Sequence, residues 1–478
     1  MSKNYIKAKY VCYGDPPFEG PAGPTGGRGE LLFWWAALAV GIGAALCVAI
    51  GVATESITIG SDEGHWVYPY SQPLSAHVLW TFAVVSATAS ALVLVPTEVG
   101  RRHPSWLVIL WLLVGSEQQA LLRASTPFTF EQMFVSNSAN SFYGVAQRYS
   151  PGAFLRHFQS LRPSLPLHAR SNMPGKVLFV SGVRAFAREP AVQAWLVVAL
   201  SNLAGVFLYL LVLEWFGDRR MALYSLVLYL FVPAKLYFFP LLNTVTPAFA
   251  LAGLWLFVRW MRTARVAYPA LFGVALYAMV LFDPLPLSLG LLFAAIMVHS
   301  LWIDGIEPTP IVRQLGVAIA TFAATYVLFL TAFRFDLFRT LNDLRLDSAA
   351  FNLEQYRPYG VWVVQNLLDF GFGAGACQVA LFGAVIVNAV RRPSTSGLIG
   401  RPIAVVSFGL AVVLLAIDLL GVNRGEAPRL WIFLACLWQI PAAYVCVRLN
   451  SRGAVVLLLS ATLLQGALGT AMIGFVTP

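Results

Sequence analysis

The chain is poor in charge: Asp, Glu, Lys and Arg make up 11% of its 478 residues, against 58% hydrophobic. A soluble protein of that composition would lack the polar surface to face water, so the soluble classes are excluded. Cysteine is scarce as well. The five cysteines, Cys12, Cys47, Cys377, Cys436 and Cys446, show no CxxC or metal-ligand spacing, which leaves them as packing residues. No P-loop, GxSxG, HExxH or strand-associated GxGxxG string is present. The sequence therefore offers nothing for ATP use, serine hydrolysis or zinc proteolysis. No metal site and no nucleic-acid partner is expected. The cofactor is unknown, with a divalent cation left open.

What the chain has in quantity is long apolar runs, several close to the roughly 20 residues needed to cross about 30 Å of hydrocarbon. Lipid offers no partner for a free N–H or C=O, so these runs are expected to be helices. The pattern predicts an all-α polytopic membrane protein with about thirteen spans. They lie near 31–53, 76–96, 105–123, 191–216, 221–239, 245–261, 267–282, 285–302, 314–333, 372–390, 402–421, 431–448 and 454–475. Val361–Phe372 reads as part of a tilted or re-entrant segment, giving a range of twelve to fourteen.

Connections carrying Arg101–Arg102, Arg219–Arg220, Arg259/Arg262/Arg265, Arg391–Arg392/Arg401 and Arg448/Arg452 alternate with short connections that are nearly free of basic residues. The basic set is assigned to the cytoplasm. Lys3, Lys7, Lys9 and Arg28 place the N-terminal tail there too, with Gly14–Gly29 a disordered lead-in and Leu31–Ala53 an uncleaved signal anchor. An odd number of spans puts the C-terminus outside a plasma (inner) membrane. The chain divides into a tail (1–30), two additional spans (31–104) and a main module (105–478) that includes a long outer segment, 124–190.

That segment, Ala124–Pro190, is the part not needed to cross a bilayer, and it too is marked by an absence: it contains no aspartate. Seven Lys/Arg against Glu131 and Glu189 give it a formal +5, and Arg334, Arg339, Arg345, Arg357, Arg424 and Arg429 add positive charge on the same face. Two readings fit: a solvated loop touching anionic headgroups of membrane lipids, or a site for a phosphate-bearing ligand. Phe142, Val145, Ala146 and Tyr149 fall at helical spacing, Ser150-Pro151 opens a second short helix, and Phe154, Leu155, Phe158 and Leu161 share its apolar face. Two such helices are expected to rest on the membrane interface, apolar faces down, until Pro163 and Pro166. His168, Arg170 and Lys176 then flank a Pro174-Gly175 turn whose backbone N–H groups suit a phosphate.

A long outer loop with juxtamembrane amphipathic helices resembles the GT-C class of integral-membrane glycosyltransferases. The string Leu165–Lys176 (LPLHARSNMPGK) is similar to His/Asn-Pro-Pro-Gly strings of uncharacterised bacterial members, and Asn423–Trp431 (NRGEAPRLW) resembles an Arg-Gly-Glu…Arg-(Leu/Ile)-Trp string before a late span. The resemblance runs from about Trp106 to the C-terminus. It implies transfer of a sugar from a polyprenyl-phosphate-linked donor to a lipid, glycan or protein acceptor at the outer face. A loop carboxylate would deprotonate the acceptor hydroxyl while basic residues steady the departing phosphate.

Members of the class commonly carry an aspartate early in that loop. Here Glu131 stands as the replacement, with Glu117 in the preceding span as the other choice, or else as a buried partner of Arg123. Asp62 and Glu63, in Ser61-Asp62-Glu63-Gly-His65-Trp66, resemble the Asp-Glu-x-His-aromatic signature of protein O-mannosyltransferases and rank second. His168, Arg170, Lys176, Arg424, Glu426 and Arg429 are the substrate-binding candidates. Arg424, Glu426 and Arg429 read either as an ordinary loop ion pair or as a phosphate fork oriented by Glu426. Asp283 reads as a turn residue, and Asp418 as a span carboxylate whose partner the sequence does not name. Competing readings are a transporter or lipid flippase, whose signals would be a paired internal repeat and broken helices near the midplane, although no convincing repeat appears and the polar residues gather in outer loops, and a non-catalytic membrane subunit.

Overall fold

The computed structural model describes residues 27–94, 104–263, 265–392 and 401–478. The expectations for Lys3, Lys7, Lys9, Cys12, most of the Gly14–Gly29 stretch and Arg101–Arg102 lie outside them. The protein is almost wholly helical, and its one sheet among the described residues is a two-stranded hairpin. Eleven helices are long and apolar enough to cross a membrane, twelve if the bent pair Tyr359–Ala374 and Ala376–Arg391 counts as one. A helix occupies each of the thirteen expected positions. Ala267–Phe282 has 16 residues, about 24 Å at 1.5 Å per residue, short of a full crossing.

The spans are interrupted where the sequence forces it. Gly375, at φ +106°, turns the Tyr359–Ala374 helix through 105° into Ala376–Arg391, so the stretch expected to be tilted or re-entrant is one arm of a bent pair, a broken span or a re-entrant loop. The expected 221–239 span is two helices, Arg219–Leu230 and Pro233–Phe238, because Pro233 donates no N–H to continue the first. Arg123 reaches the end of the second helix: its guanidinium donates to the carbonyls of Leu236 (3.1 Å), Tyr237 (3.4 Å) and Phe239 (3.1 Å). These are C-terminal carbonyls with no helical partner. Arg123 is thereby committed to backbone, which corrects the expected pairing with Glu117. Glu117 instead lies exposed on the outer surface of its span, without an ion pair among the described residues.

Contacts sort the connections into two ends. At one, Glu30 pairs with Arg392 (3.1 Å) and Arg448, Glu214 with Arg259 (2.5 Å), and Arg220 donates to Asn450 (2.8 Å). At the other meet the hairpin connection 54–75, the 124–190 segment, Asp283, the 334–358 connection, the 421–431 loop and the C-terminal residues. The first two spans are integral to the body: Leu38, Ala45 and Ala49 are buried, and Trp34 stacks edge-on against Tyr444 at 6.0 Å.

The two amphipathic helices form at Phe142–Arg148 and Pro151–Leu161, but their apolar faces are covered by protein. Phe142, Val145, Phe154, Leu155 and Phe158 are buried, and Phe158 meets Phe335 at 6.2 Å. This corrects the interfacial posture. The apolar surface they need is supplied by the Gly175–Phe186 helix and by the 334–358 connection. That connection holds a helix the hydropathy pattern did not announce, Leu337–Glu354, capped by Asp336 accepting from Arg339 N at 3.0 Å.

Candidate functional site

The second end holds a buried cluster of charge assembled from separate stretches of chain. Its floor is the 421–426 loop, where Gly421 (φ +59°), Gly425 (φ +87°) and Glu426 (φ +60°) all adopt left-handed backbone. For Glu426 that conformation costs on the order of 1 kcal/mol or more and persists only where the surroundings over-determine it. They do. Asn366 donates to Asn423 O (3.0 Å) and accepts from Gly425 N (3.0 Å). Arg357 donates to Arg424 O (2.6 Å), and Arg424 returns a bond to Arg357 O (2.9 Å) and another to Gly421 O (3.3 Å). Asp418 finds its partner in Asn366, which donates to it at 3.3 Å.

Held this way, Glu426 pairs with Arg429 and lies 3.7 Å from Arg357. Of the two sequence readings of this loop, the ion pair is the arrangement present. Arg357 is 5% exposed, with its guanidinium 5.1 Å from the Trp66 ring and 4.9 Å from Phe351. Arg424 spends its donors on backbone and therefore positions the loop.

The hairpin Ile59–Ser61/Trp66–Tyr68 lies across the cluster. Gly60 (φ +89°) donates its N–H to Asp369 Oδ1 at 3.1 Å, and Trp362 donates to Gly64 O at 3.2 Å. Tyr68 is buried, and its hydroxyl senses Glu426, Arg429 and Asp369. Burial, reinforced by Glu426, pushes that hydroxyl far above the ordinary range. Asp62 and Glu63 are exposed at the hairpin tip.

The 124–190 segment brings in His168 and Lys176. The Nε2 of His168 bonds Ser138 O at 2.7 Å, so Nε2 carries the proton and Nδ1 keeps a lone pair. Burial first, then Arg429, depresses this histidine to about 4, leaving it neutral at pH 7. Lys176 donates to Asn172 (2.7 Å) and lies 3.4 Å from Asp283, whose other bonds come from Thr246 (2.9 Å) and Leu285 N (3.2 Å). Asp283 is therefore both a turn residue and a counter-ion. Burial lowers the Lys176 ammonium, with Asp283 opposing. For Glu426 burial pushes upward, but Arg429 and Arg357 outweigh it and hold the carboxyl below its usual range.

The Pro174-Gly175 turn is not open to a ligand: a Cβ on Gly175 would sit 2.2 Å from Leu281 O. Its glycine allows close packing that delivers Lys176 to Asp283, which corrects the expected phosphate-binding turn. Arg170 is exposed and is held through its backbone: its N–H donates to Pro166 O at 2.9 Å and its carbonyl accepts from Arg162 at 3.1 Å. Glu131 is exposed in the first turn of Phe130–Val135, under a capping box of Thr129 and Gln132.

Thus His168, Lys176, Glu426 and Arg429 come together, whereas Glu131, Glu117, Asp62, Glu63 and Arg170 remain at the surface. Sequence reasoning had counted Arg357 only as general charge and had missed Asp369 and Tyr68. A carboxylate inside the apolar Tyr359–Ala374 stretch was the available signal for Asp369. Three buried atoms of the cluster have no hydrogen-bond partner among the described residues: Arg357 Nε, Arg429 Nε and Asp369 Oδ2. Buried polar atoms are almost always satisfied, so these three are the hydrogen-bonding positions of the cluster that the protein itself leaves open. Among the described residues no three His, Cys, Asp or Glu side chains are placed to hold a metal ion. No protein-family model matches the chain, and no curated protein matches it in sequence.

Proposed function

We propose that this protein transfers a sugar from a polyprenyl-phosphate donor to a hydroxyl acceptor at the membrane face bearing the 124–190 segment. Positive-inside reasoning assigns that face to the outside, because the opposite end carries Arg219, Arg220, Arg259, Arg262, Arg392 and Arg448 in short connections. The observation that carries the reading is the buried Arg357–Glu426–Arg429 group with its two unmet guanidinium N–H donors. Such donors suit a phosphate, and in a water-excluded site their worth to a developing phosphate charge is large.

In this reading Arg357 and Arg429 meet the donor phosphate, and Glu426 keeps the two cations close together before it arrives. The base is Asp369, whose Oδ2 is buried and free beside Tyr68 while Oδ1 is held by Gly60 N and Gln365 (2.7 Å). The acceptor oxygen bonds the anomeric carbon as its proton passes to Asp369. The bond from that carbon to the phosphate oxygen breaks, and its electron pair leaves with the lipid phosphate. Glu131, the loop carboxylate the resemblance points to, is the comparison residue.

The test is transfer of labelled sugar by the reconstituted protein. Asp369→Asn should lose at least about a hundredfold, with Glu131→Gln near wild type. Full activity in Asp369→Asn would remove that base, and a wild-type protein that neither binds nor uses a polyprenyl-phosphate sugar would sink the reading.

A transporter is the second reading, favoured by the breaks at Val232-Pro233 and Gly375 and by Lys235. Its fully buried ammonium meets Asn202 Oδ1 at 3.3 Å and the Tyr229 ring at 3.5 Å. Solute or lipid movement without any transfer product would select it.

A further inference from the structure

Away from the buried cluster, a groove of about 410 Å³ opens between residues 146–151 and 181–185. Arg148, Arg184, Tyr149, Ser150 and Ser181 are among the residues that line it, and no Asp or Glu is. Arg184 is anchored by a bond from Nη1 to Ala146 O at 2.9 Å, so its guanidinium is held at the groove wall. Ser150 precedes the eleven-residue Pro151–Leu161 helix, yet its hydroxyl makes no capping bond to that helix. The groove thus combines two cations, the Tyr149 and Ser150 hydroxyls and an uncapped helix start, all suited to one anion, while the Ser181 hydroxyl is spent on Val177 O at 3.0 Å.

Its position tells which anion. The Gly175–Phe186 helix that forms one wall ends at Phe186, which is 89% exposed, and the Pro190–Phe216 span begins four residues later. Trp195, in the first turns of that span, is also exposed. Exposed aromatic rings at the mouth of a span mark the headgroup level of a bilayer. Basic residues there attract anionic lipid.

We propose that this groove binds the phosphate of an anionic phospholipid, with the acyl chains lying along Phe186 and the start of the Pro190–Phe216 span. The site is separate from the buried cluster and does not depend on the function assigned to it. The experiment is lipid retention by the full-length protein in detergent, read by native mass spectrometry with phosphatidylglycerol, phosphatidylcholine or sodium phosphate added. Wild type should retain phosphatidylglycerol in preference to phosphatidylcholine. Arg148→Ala should weaken it about fivefold, and Arg148→Ala with Arg184→Ala about thirtyfold. Arg184→Lys, which keeps a donor for Ala146 O, serves as the folding control and should retain most of the binding. Equal retention of the two lipids, or undiminished phosphatidylglycerol binding in Arg148→Ala and the double variant, would overturn the proposal. Full displacement of lipid by an equal concentration of sodium phosphate would overturn it as well, by making this a soluble-phosphate site.

Discussion

Replacing Glu426 by Gln is the change that most sharply separates a structural ion pair from a phosphate site. The side chain is 14% exposed and lies against Arg357, 5% exposed, and Arg429, 17% exposed. Removing one member of a buried pair typically costs about 3–5 kcal/mol, most of it the penalty of a charge left without its counter-ion. Here two guanidiniums would be left, beside the Lys176 ammonium and a neutral His168 that contributes no compensating charge. Glu426→Gln should therefore unfold well below wild type in detergent, whereas Glu131→Gln, an exposed change, should stay within about 0.5 kcal/mol. The second half of the experiment adds a polyprenyl phosphate without sugar. If Arg357 and Arg429 are its binding donors, the anion supplies the missing negative charge and stabilises Glu426→Gln more than it does wild type. Wild-type stability in Glu426→Gln would refute the electrostatic argument. A destabilised variant gaining nothing extra from the lipid phosphate would refute its functional extension.

His168 is held near 4 against an ordinary 6.5, so the unfolded chain binds more protons in that interval. Its contribution to stability is complete above pH 6.5 and is lost as pH falls toward 4. His168→Gln should flatten this part of the pH profile, and an unchanged slope would mean that the ring is solvated. Gly60→Ala combines φ +89° with a Cβ 2.3 Å from Trp66 O. It should cost more than about 2 kcal/mol in thermal unfolding, while Gly43→Ala, with nothing within 4 Å, should be near neutral. Similar melting of both would show that the hairpin does not hold its place over Asp369. In intact cells a membrane-impermeant maleimide should label Glu131→Cys and spare Arg220→Cys; the reverse pattern would invert the assigned orientation.

Hydropathy located the spans well because a helix that crosses lipid must carry its signal locally, in about 20 consecutive residues. It located the breaks poorly, since whether a span is interrupted depends on which neighbours donate to the carbonyls left open at its helix ends. Arg123 does so for the end of Pro233–Phe238 from more than a hundred residues away. The amphipathic helices were legible as helices from Phe142 and Phe154 onward, but an apolar face carries no label saying whether lipid or protein covers it. In the site, His168, Lys176, Glu426 and Arg429 stood out because polar residues in short motifs are conspicuous. Asp369 did not, hidden in an apolar run, and Tyr68 belongs to a short loop whose value appears only when the hairpin is laid across the 421–426 turn. The carboxylates chosen from sequence were the visible ones, and visibility in a membrane protein's sequence tends to mean exposure, as at Glu131, Asp62 and Glu63.

The central claim is that Arg357 and Arg429 receive a lipid phosphate beside Asp369. An experimental structure of the protein with a polyprenyl-phosphate sugar tests it most directly. Phosphate oxygens are expected at about 2.7–2.9 Å from the guanidinium nitrogens of both arginines, with the sugar facing Asp369 Oδ2. A ligand seated elsewhere, with the Arg357–Glu426–Arg429 group unchanged, would contradict it.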